Sequence, residues 1–214
     1  MTTYSDQTSS YITNLFAGED SALVNAREES SRQELPAIRI LAEEGRFLQF
    51  LVRTCGARKA LEIGTLGGYS GIWIARGLVP GGKLYTLERE PKHAAVARKN
   101  LAAAGLNELV EVRVGEAIEL LGALHTEAPF DFVFIDADKS GYPAYFEWAL
   151  NHTRGRGIIA AHNAFQEGSV IGTVQDNEHT VLMRQFNQQI AGDKRLISTV
   201  YPAGDGTLIV VKRG

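Results

Sequence analysis

The 214-residue sequence contains a single cysteine, Cys55, and this scarcity excludes an internal disulfide bond. It also excludes structural zinc sites built from several cysteines. No charge excess of either sign is large: the formal net charge is −3, so no bulk electrostatic attraction to nucleic acid is expected. With 44% hydrophobic and 22% charged residues the composition is that of a globular protein, and the length favours a single domain over residues 1–214.

Long apolar runs are also absent. No stretch approaches the roughly 18 consecutive apolar residues of a membrane-spanning helix. The sequence begins without a basic-then-apolar leader. We therefore expect no membrane partner and a cytoplasmic location.

A glycine-rich segment after the first predicted strand is the most informative stretch. The apolar run 60–64 ends at Gly64, a turn with two further glycines follows, and a helical pattern begins at Tyr69. Glycines in such a turn let the backbone approach a ligand, and a helix N-terminus points free N–H groups at it. This order of strand, turn and helix predicts a cofactor-binding site.

Three residues indicate which kind of cofactor binds there. Glu88 ends the second predicted strand, where a carboxylate can accept hydrogen bonds from a ribose diol. Leu66 breaks the Gly-x-Gly-x-x-Gly spacing of dinucleotide-binding turns, so a pyrophosphate is disfavoured. Glu62 is expected at the mouth of the site, where its carboxylate would repel a pyrophosphate and suit a cationic ligand. The cofactor is thus predicted to contain a nucleoside.

Strands and helices alternate regularly from residue 60 onward. Strands are predicted at 60–64, 83–88, 109–114, 130–135, 157–161, 194–201 and 206–212, and helices at 69–78, 91–104, 116–122, 142–151 and 178–191. Residues 1–56 have helical periodicity and precede the sheet core, 57–214. The last two strands have a connection too short for a crossover, so they pair antiparallel. This pattern predicts an α/β fold: a Rossmann-like, doubly wound, mostly parallel seven-stranded sheet with an antiparallel last strand, plus N-terminal helices.

Polar side chains after the fourth and fifth predicted strands form a second constellation. Asp136, Asp138 and Lys139 follow the fourth strand, and His162 and Asn163 follow the fifth. Because such sheets bind ligands beyond the carboxyl ends of their strands, these groups are expected beside the cofactor. Asp, His and Asn are competent ligands for a divalent cation, and a lysine whose pKa is lowered by burial or by a metal can act as a base. Asp138 is equally well placed to cap the following helix.

Residues from about 36 to 212 resemble the cation-dependent O-methyltransferases, a family that includes catechol and caffeoyl-coenzyme A O-methyltransferases. This family belongs to the class I methyltransferases, which depend on S-adenosylmethionine (SAM). The resemblance rests on Leu61-Glu62-Ile63-Gly64 with Gly68-Tyr69-Ser70, on 130–139 with its Ile-Asp-Ala-Asp-Lys ending, and on 155–163 and 204–208.

The resemblance implies roles for particular residues. The residues expected to bind the cofactor are Glu62, Gly64, Leu66, Gly68, Ser70, Glu88, Arg89, Ala117 and Asp136. It further implies that Asp136 binds a metal, that an Asp-Asn pair after the fifth strand completes the ligand set, and that Lys139 deprotonates the acceptor hydroxyl. A homodimer is implied as well.

The sequence departs from the family at one ligand position, because the Asp-Asn pair is here His162-Asn163. The imidazole removes one negative charge, and Mg²⁺ prefers oxygen ligands, whereas Mn²⁺, Fe²⁺, Co²⁺ or Zn²⁺ tolerate nitrogen. Two interpretations stay open at this stage. Either Asp136, His162 and Asn163 hold a softer divalent cation, or the metal is lost and His162 becomes the general base.

The sequence therefore predicts a SAM-dependent O-methyltransferase acting on a hydroxyl of a small phenolic or catechol-like acceptor. Lys139, Asp136 and His162 are the candidate catalytic residues, and assistance by a divalent cation is left open. One alternative is a SAM-binding homologue without metal or without catalysis. Another is a nicotinamide-dependent oxidoreductase, which the broken glycine spacing disfavours. The expected partners are the small-molecule acceptor and a second copy of the chain, not nucleic acid.

Overall fold

The computed structural model describes residues 5–172 and 177–213 and contains a seven-stranded sheet flanked by helices. The strands are β1 (Lys59–Ile63), β2 (Lys83–Glu88), β3 (Val110–Val114), β4 (Phe130–Ile135), β5 (Thr153–Ala161), β6 (Leu196–Tyr201) and β7 (Thr207–Lys212). The helices are α1 (Asp6–Phe16), α2 (Ser21–Arg32), α3 (Ala42–Thr54), α4 (Tyr69–Gly77), α5 (Pro91–Ala103), α6 (Ala117–Leu124), α7 (Tyr142–His152) and α8 (Glu178–Gly192), with short 3₁₀ turns at His125–Glu127 and Lys139–Gly141. None of the helices in these two ranges is both long and apolar enough to cross a membrane.

The strand order along the sheet is β3-β2-β1-β4-β5-β7-β6. The pairs among β1 to β5 are parallel, and β7 pairs antiparallel with both β5 and β6. The order reverses between β1 and β4, where Ile63 pairs with Ile135. The predicted Rossmann-like sheet with an antiparallel last strand is confirmed.

Helices cover both faces of the sheet. Phe132 and Phe134 of β4 point to the core shared with α2, α3, α4 and α5. Val133 and Ile135, which alternate with them, point to the core shared with α6, α7 and α8. A parallel strand buried on both faces needs apolar residues at successive positions, and this explains the continuous apolar run of β4.

The element boundaries follow local capping chemistry. The side chain of Asp20 accepts a hydrogen bond from the backbone N–H of Leu23 at 3.1 Å and caps the start of α2. The carboxylate of Glu44 accepts a hydrogen bond from the N–H of Leu41 at 2.7 Å, at the start of α3. The largest shift of boundary is in β5, which begins at Thr153 rather than at the predicted 157.

Candidate active site

A cavity of about 1090 Å³ lies at the carboxyl ends of β1, β2 and β4. Its walls include the turn after β1, the residues after β4, and the segment 35–41 that connects α2 to α3. The cavity therefore lies where the strand order reverses, which is the expected ligand site of a doubly wound sheet.

The turn after β1 requires glycine at its first position. Gly64 has φ +101°, and a Cβ there would lie 1.9 Å from the carbonyl oxygen of Asp136. A side chain at this position would collide with the backbone at the end of β4, so glycine lets the ends of β1 and β4 lie side by side. Gly68 instead precedes α4 and approaches α5, because a Cβ on it would lie 3.3 Å from the Cβ of Ala97. Gly64 lines the cavity, whereas Gly68 is not among its lining residues.

Glu88 ends β2 and connects the turn to the next helix. Its Oε2 accepts hydrogen bonds from the backbone N–H groups of Thr65 at 3.2 Å and Leu66 at 2.7 Å. Its Oε1 accepts one from the N–H of Glu90 at 2.9 Å. Because a carboxylate offers about four acceptor sites, Glu88 retains capacity for a ribose hydroxyl, and it lines the cavity.

Glu62 is not at the mouth of the site, which corrects the expectation from the sequence. Its side chain is fully buried in β1, and it is not among the cavity-lining residues. One carboxylate oxygen accepts a hydrogen bond from the hydroxyl of Thr86 at 2.6 Å. Burial raises the pKa of Glu62 to about 7, although the hydroxyls of Ser70 and Thr86 favour the ionised form. Glu62 thus lies beneath the turn, beside Ser70 at the start of α4.

Most of the remaining predicted cofactor residues line the same cavity. The lining includes Leu66, Ser70, Arg89, Ala117 and Asp136. The structure therefore brings together most of the predicted cofactor set, and the role of each residue in binding stays a prediction.

Lys139 lines the same cavity and lies in the turn after β4. Its Nζ donates hydrogen bonds to the hydroxyl of Tyr142 and to Oδ1 of Asn163, each at 2.7 Å, and lies 3.6 Å from Oδ1 of Asp136. Burial lowers the pKa of Lys139, and Asp136 partly opposes this effect. Asp138 caps the same turn by accepting a hydrogen bond from the N–H of Gly141 at 2.9 Å. Capping was one of the two roles expected for Asp138.

His162 lies deeper, between two carboxylates. Its Nε2 is 2.8 Å from Oε1 of Glu44, and its Nδ1 is 3.5 Å from Oδ1 of Asp136. Burial disfavours the charged imidazole, but Asp136 and Glu44 raise the pKa of His162 to about 10. Burial likewise opposes ionisation of Asp136, whose pKa is nevertheless held low by His162 and Lys139. A protonated imidazole has no lone pair for a proton, and this argues against His162 as the general base.

The predicted metal ligands lie near each other, and several of their donor atoms already have protein partners. Oδ1 of Asn163 accepts from Lys139, and Nδ2 donates to Asp205 at 2.8 Å. Both ring nitrogens of His162 face carboxylates. Within residues 5–172 and 177–213, no group of three or more His, Cys, Asp or Glu side chains is arranged to hold a metal ion. Nδ1 of His162 is buried without a hydrogen-bond partner, and metal binding by Asp136, His162 and Asn163 stays a prediction.

Two partners of the site were missed by the sequence analysis. Glu44 belongs to α3, and its approach to His162 depends on how the N-terminal helices pack on the sheet. Thr86 lies between two apolar residues in β2. Its contact with Glu62 is recognisable only once β1 and β2 are paired, because Glu62 then lies opposite Thr86. A polar residue inside an otherwise apolar strand was the one signal in the sequence that could have indicated it.

The doubly wound sheet, the glycine turn and the acid at the end of β2 define a Rossmann-like protein that binds a nucleoside-containing cofactor. The family model described as O-methyltransferase matches residues 9–213, and the chain belongs to this family.

Individual relatives agree with this assignment. A catechol O-methyltransferase of Niastella koreensis is 42% identical over 192 residues, covering 89% of this chain and 87% of the relative. An O-methyltransferase from Bacillus cereus, solved in complex with SAH, superposes with a TM-score of 0.90 at 41% identity, covering 97% of each chain. The O-methyltransferase TomG from Streptomyces achromogenes, solved in complex with SAM, gives a TM-score of 0.87 at 37% identity, covering 97% of this chain and 96% of that one.

The protein is therefore a SAM-dependent O-methyltransferase, and the nicotinamide-dependent alternative is set aside. The cavity at the ends of β1, β2 and β4 is accordingly the candidate site for SAM.

Proposed function

We propose that the protein transfers the methyl group of SAM to a hydroxyl of a small, catechol-like acceptor, and that Lys139 takes the proton of that hydroxyl. The observation that carries this proposal is the position of Lys139. Its amine lies in the same cavity as the glycine turn and Glu88, and hydrogen bonds to Tyr142 and Asn163 hold it there. A base fixed beside the cofactor pocket is what methylation of a hydroxyl requires.

The chemistry needs two things from the protein. The methyl group of SAM is already activated by its sulfonium, so the acceptor oxygen has to be aligned with it and deprotonated. As an ammonium, Lys139 donates to Ala137, Tyr142 and Asn163. Loss of one proton frees a lone pair for the acceptor hydroxyl, and the burial that lowers the pKa of Lys139 favours this step.

The balance of the reaction is simple. The hydroxyl proton passes to the amine of Lys139, and the oxyanion attacks the methyl carbon. A carbon–oxygen bond forms while the carbon–sulfur bond breaks, and the electron pair of that bond neutralises the sulfonium. The new ammonium stays beside the acceptor oxygen until its proton passes to solvent. No step of this sequence uses a metal.

Apolar side chains in the cavity wall support an aromatic acceptor. The segment 35–41 contributes apolar side chains to the cavity, among them Ile38, which is 71% exposed, and Ile40. A cavity that combines an apolar wall with the fixed amine of Lys139 suits a ring that carries a hydroxyl. The relative named catechol O-methyltransferase supports the same class of acceptor.

Methyl transfer to a panel of acceptors tests the proposal. Wild-type protein with SAM and catechol is expected to give O-methylated product and SAH in equal amounts, and aliphatic alcohols little or none. The Lys139→Met variant should lose turnover by about 100-fold or more. Lys92→Met, a change of an exposed lysine at the start of α5, is the matched control. Equal turnover of wild type and Lys139→Met would remove Lys139 from the mechanism.

We also propose that the protein forms a homodimer, as the resemblance implies. Helix α1 packs on α3, and several large apolar side chains there are exposed: Tyr11, Leu15, Phe16 and Phe50. A second copy covering this surface would remove it from water. Light scattering coupled to size-exclusion chromatography should give twice the 23.4 kDa chain mass. A monomer mass at all micromolar concentrations would contradict the dimer.

A further inference from the structure

Arg39 lies in the connector between α2 and α3 and contributes a cation to the cavity wall, between Ile38 and Ile40. Its Cζ lies 5.2 Å from the centroid of the Tyr69 ring. Its Nη1 donates a hydrogen bond to the carbonyl oxygen of Ile40 at 3.2 Å. A guanidinium over an aromatic face is restrained, yet it keeps its charge and its other N–H donors.

The ring beneath Arg39 is itself held in place. Tyr69 is the first residue of α4 and is buried, and its hydroxyl donates a hydrogen bond to Oε1 of Glu19 at 2.9 Å. The other carboxylate oxygen of Glu19 lies 3.5 Å from Nη2 of Arg27. The carboxylate of Glu19 is therefore engaged by Tyr69 and Arg27 rather than by Arg39.

Arg39 differs from the other cations of the cavity in having no acid beside it. Among the described residues that line the cavity, it is the only lysine or arginine without an ion pair. Its guanidinium makes a single hydrogen bond to the described part of the chain, and the acceptor is a backbone carbonyl. The other three cations of the wall each face a carboxylate: Arg27 faces Glu19, Arg89 faces Glu90 and Lys139 faces Asp136.

The chemistry of a guanidinium indicates what it would bind. Arginine presents five N–H donors in a planar fork, and this fork matches the two oxygens of a carboxylate. The cavity wall holds more carboxylates than lysine and arginine side chains, so an anionic group of a ligand is repelled by much of it. Arg39 is the cation of this wall that is free to attract such a group.

We propose that Arg39 is a ligand-binding residue of this cavity and that it pairs with a carboxylate. Two ligands of a methyl transfer can supply that group. SAM carries one in its amino-acid part, and an acceptor that is a hydroxylated benzoate carries one on its ring. The proposal deepens the proposed function and rests on it, because Arg39 then determines either the affinity for SAM or the choice of acceptor.

Calorimetry with two nucleosides tests whether SAM supplies the carboxylate. SAH contains the amino-acid part, and methylthioadenosine lacks it. If SAM is the source, Arg39→Met should weaken SAH binding by about tenfold or more and leave the affinity for methylthioadenosine within about twofold of wild type. Arg39→Lys keeps the charge without the fork and should lose less. Arg53→Met, a change of an exposed arginine in α3 outside the cavity wall, is the matched control and should bind both nucleosides as wild type does.

Binding of acceptors to the SAH complex tests the other source, and it requires no turnover. Protocatechuate is catechol with a carboxylate on the ring. If the acceptor is the source, Arg39→Met should weaken the binding of protocatechuate by about tenfold and leave the binding of catechol unchanged. The Arg53→Met control should bind both acceptors as wild type does.

The proposal is overturned if Arg39→Met discriminates within neither pair of ligands. This holds whether all four affinities stay at the wild-type values or both members of a pair fall equally. In the second case the substitution acts through the shape of the cavity and not through a carboxylate. A protein that binds SAH but methylates no catechol refutes the proposed function and leaves the comparison of SAH with methylthioadenosine intact.

Discussion

Replacing Glu62 by glutamine probes the electrostatics beneath the cofactor turn. Glu62 is fully buried in β1, and burial raises its pKa from 4.5 to about 7. Between these two values the folded protein retains a proton that the unfolded chain has lost. The free energy of unfolding therefore falls as the pH rises from 4.5 through 7, and it levels off above that range.

The size of this loss follows from the two pKa values. At about 1.4 kcal/mol for each pKa unit, the difference amounts to about 3 kcal/mol above pH 7. Glutamine cannot ionise, and it can still accept the hydrogen bond from Thr86. Glu62→Gln should therefore be more stable than the wild type at pH 8, with a Tm raised by about 6–12 °C for a chain of this length, and nearly equal to it at pH 5.

Thermal unfolding followed by circular dichroism between pH 5 and 8.5 measures this difference. Glu119→Gln, on the exposed side of α6, is the matched control and should follow the wild type at every pH. A Glu62→Gln variant that is less stable than the wild type at pH 8 would refute this reasoning. So would a difference in Tm from the wild type that does not change with pH, because ionisation of the buried Glu62 would then not destabilise the protein.

Three further predictions concern the cofactor, the turn and the metal. Glu88→Ala should weaken SAH binding by about 10- to 100-fold in calorimetry, because it loses a charged acceptor, and an unchanged affinity would count against the ribose assignment. Gly64→Ala should lower the Tm by more than about 10 °C or prevent folding, since its Cβ would lie 1.9 Å from the carbonyl oxygen of Asp136. Gly56→Ala, with φ +63° and no atom within 4 Å, should cost only about 1 kcal/mol. Turnover should be unchanged by a chelator, and a chelator-sensitive rate restored by one added metal would show that a cation takes part.

The fold could be predicted from the sequence because its signals are local. The apolar run of β4, the glycine turn before α4 and the short connection between β6 and β7 each specify an element or a pairing without reference to distant residues. The reversal of strand order follows from the topology that these elements permit. The N-terminal helices were predicted as helices, but their contacts with the site were not.

The chemistry of the site could be predicted only in part. Asp136, Lys139 and Asn163 follow strand ends that the topology brings to one edge of the sheet, so their proximity was accessible. The state of His162 was not, because its partner Glu44 lies 118 residues earlier in the chain. The prediction that Glu62 lies at the mouth was wrong. Its burial depends on the pairing of β1 with β2 and on the helix above them, which the local sequence does not show.

Mass-spectrometric detection of products from SAM and catechol tests the central claim most directly. The account predicts O-methylated catechol and SAH in a one-to-one ratio from wild-type protein, and almost none from Lys139→Met that still binds SAH. It would be contradicted by a protein that binds SAM yet yields no methylated product with any catechol or phenol.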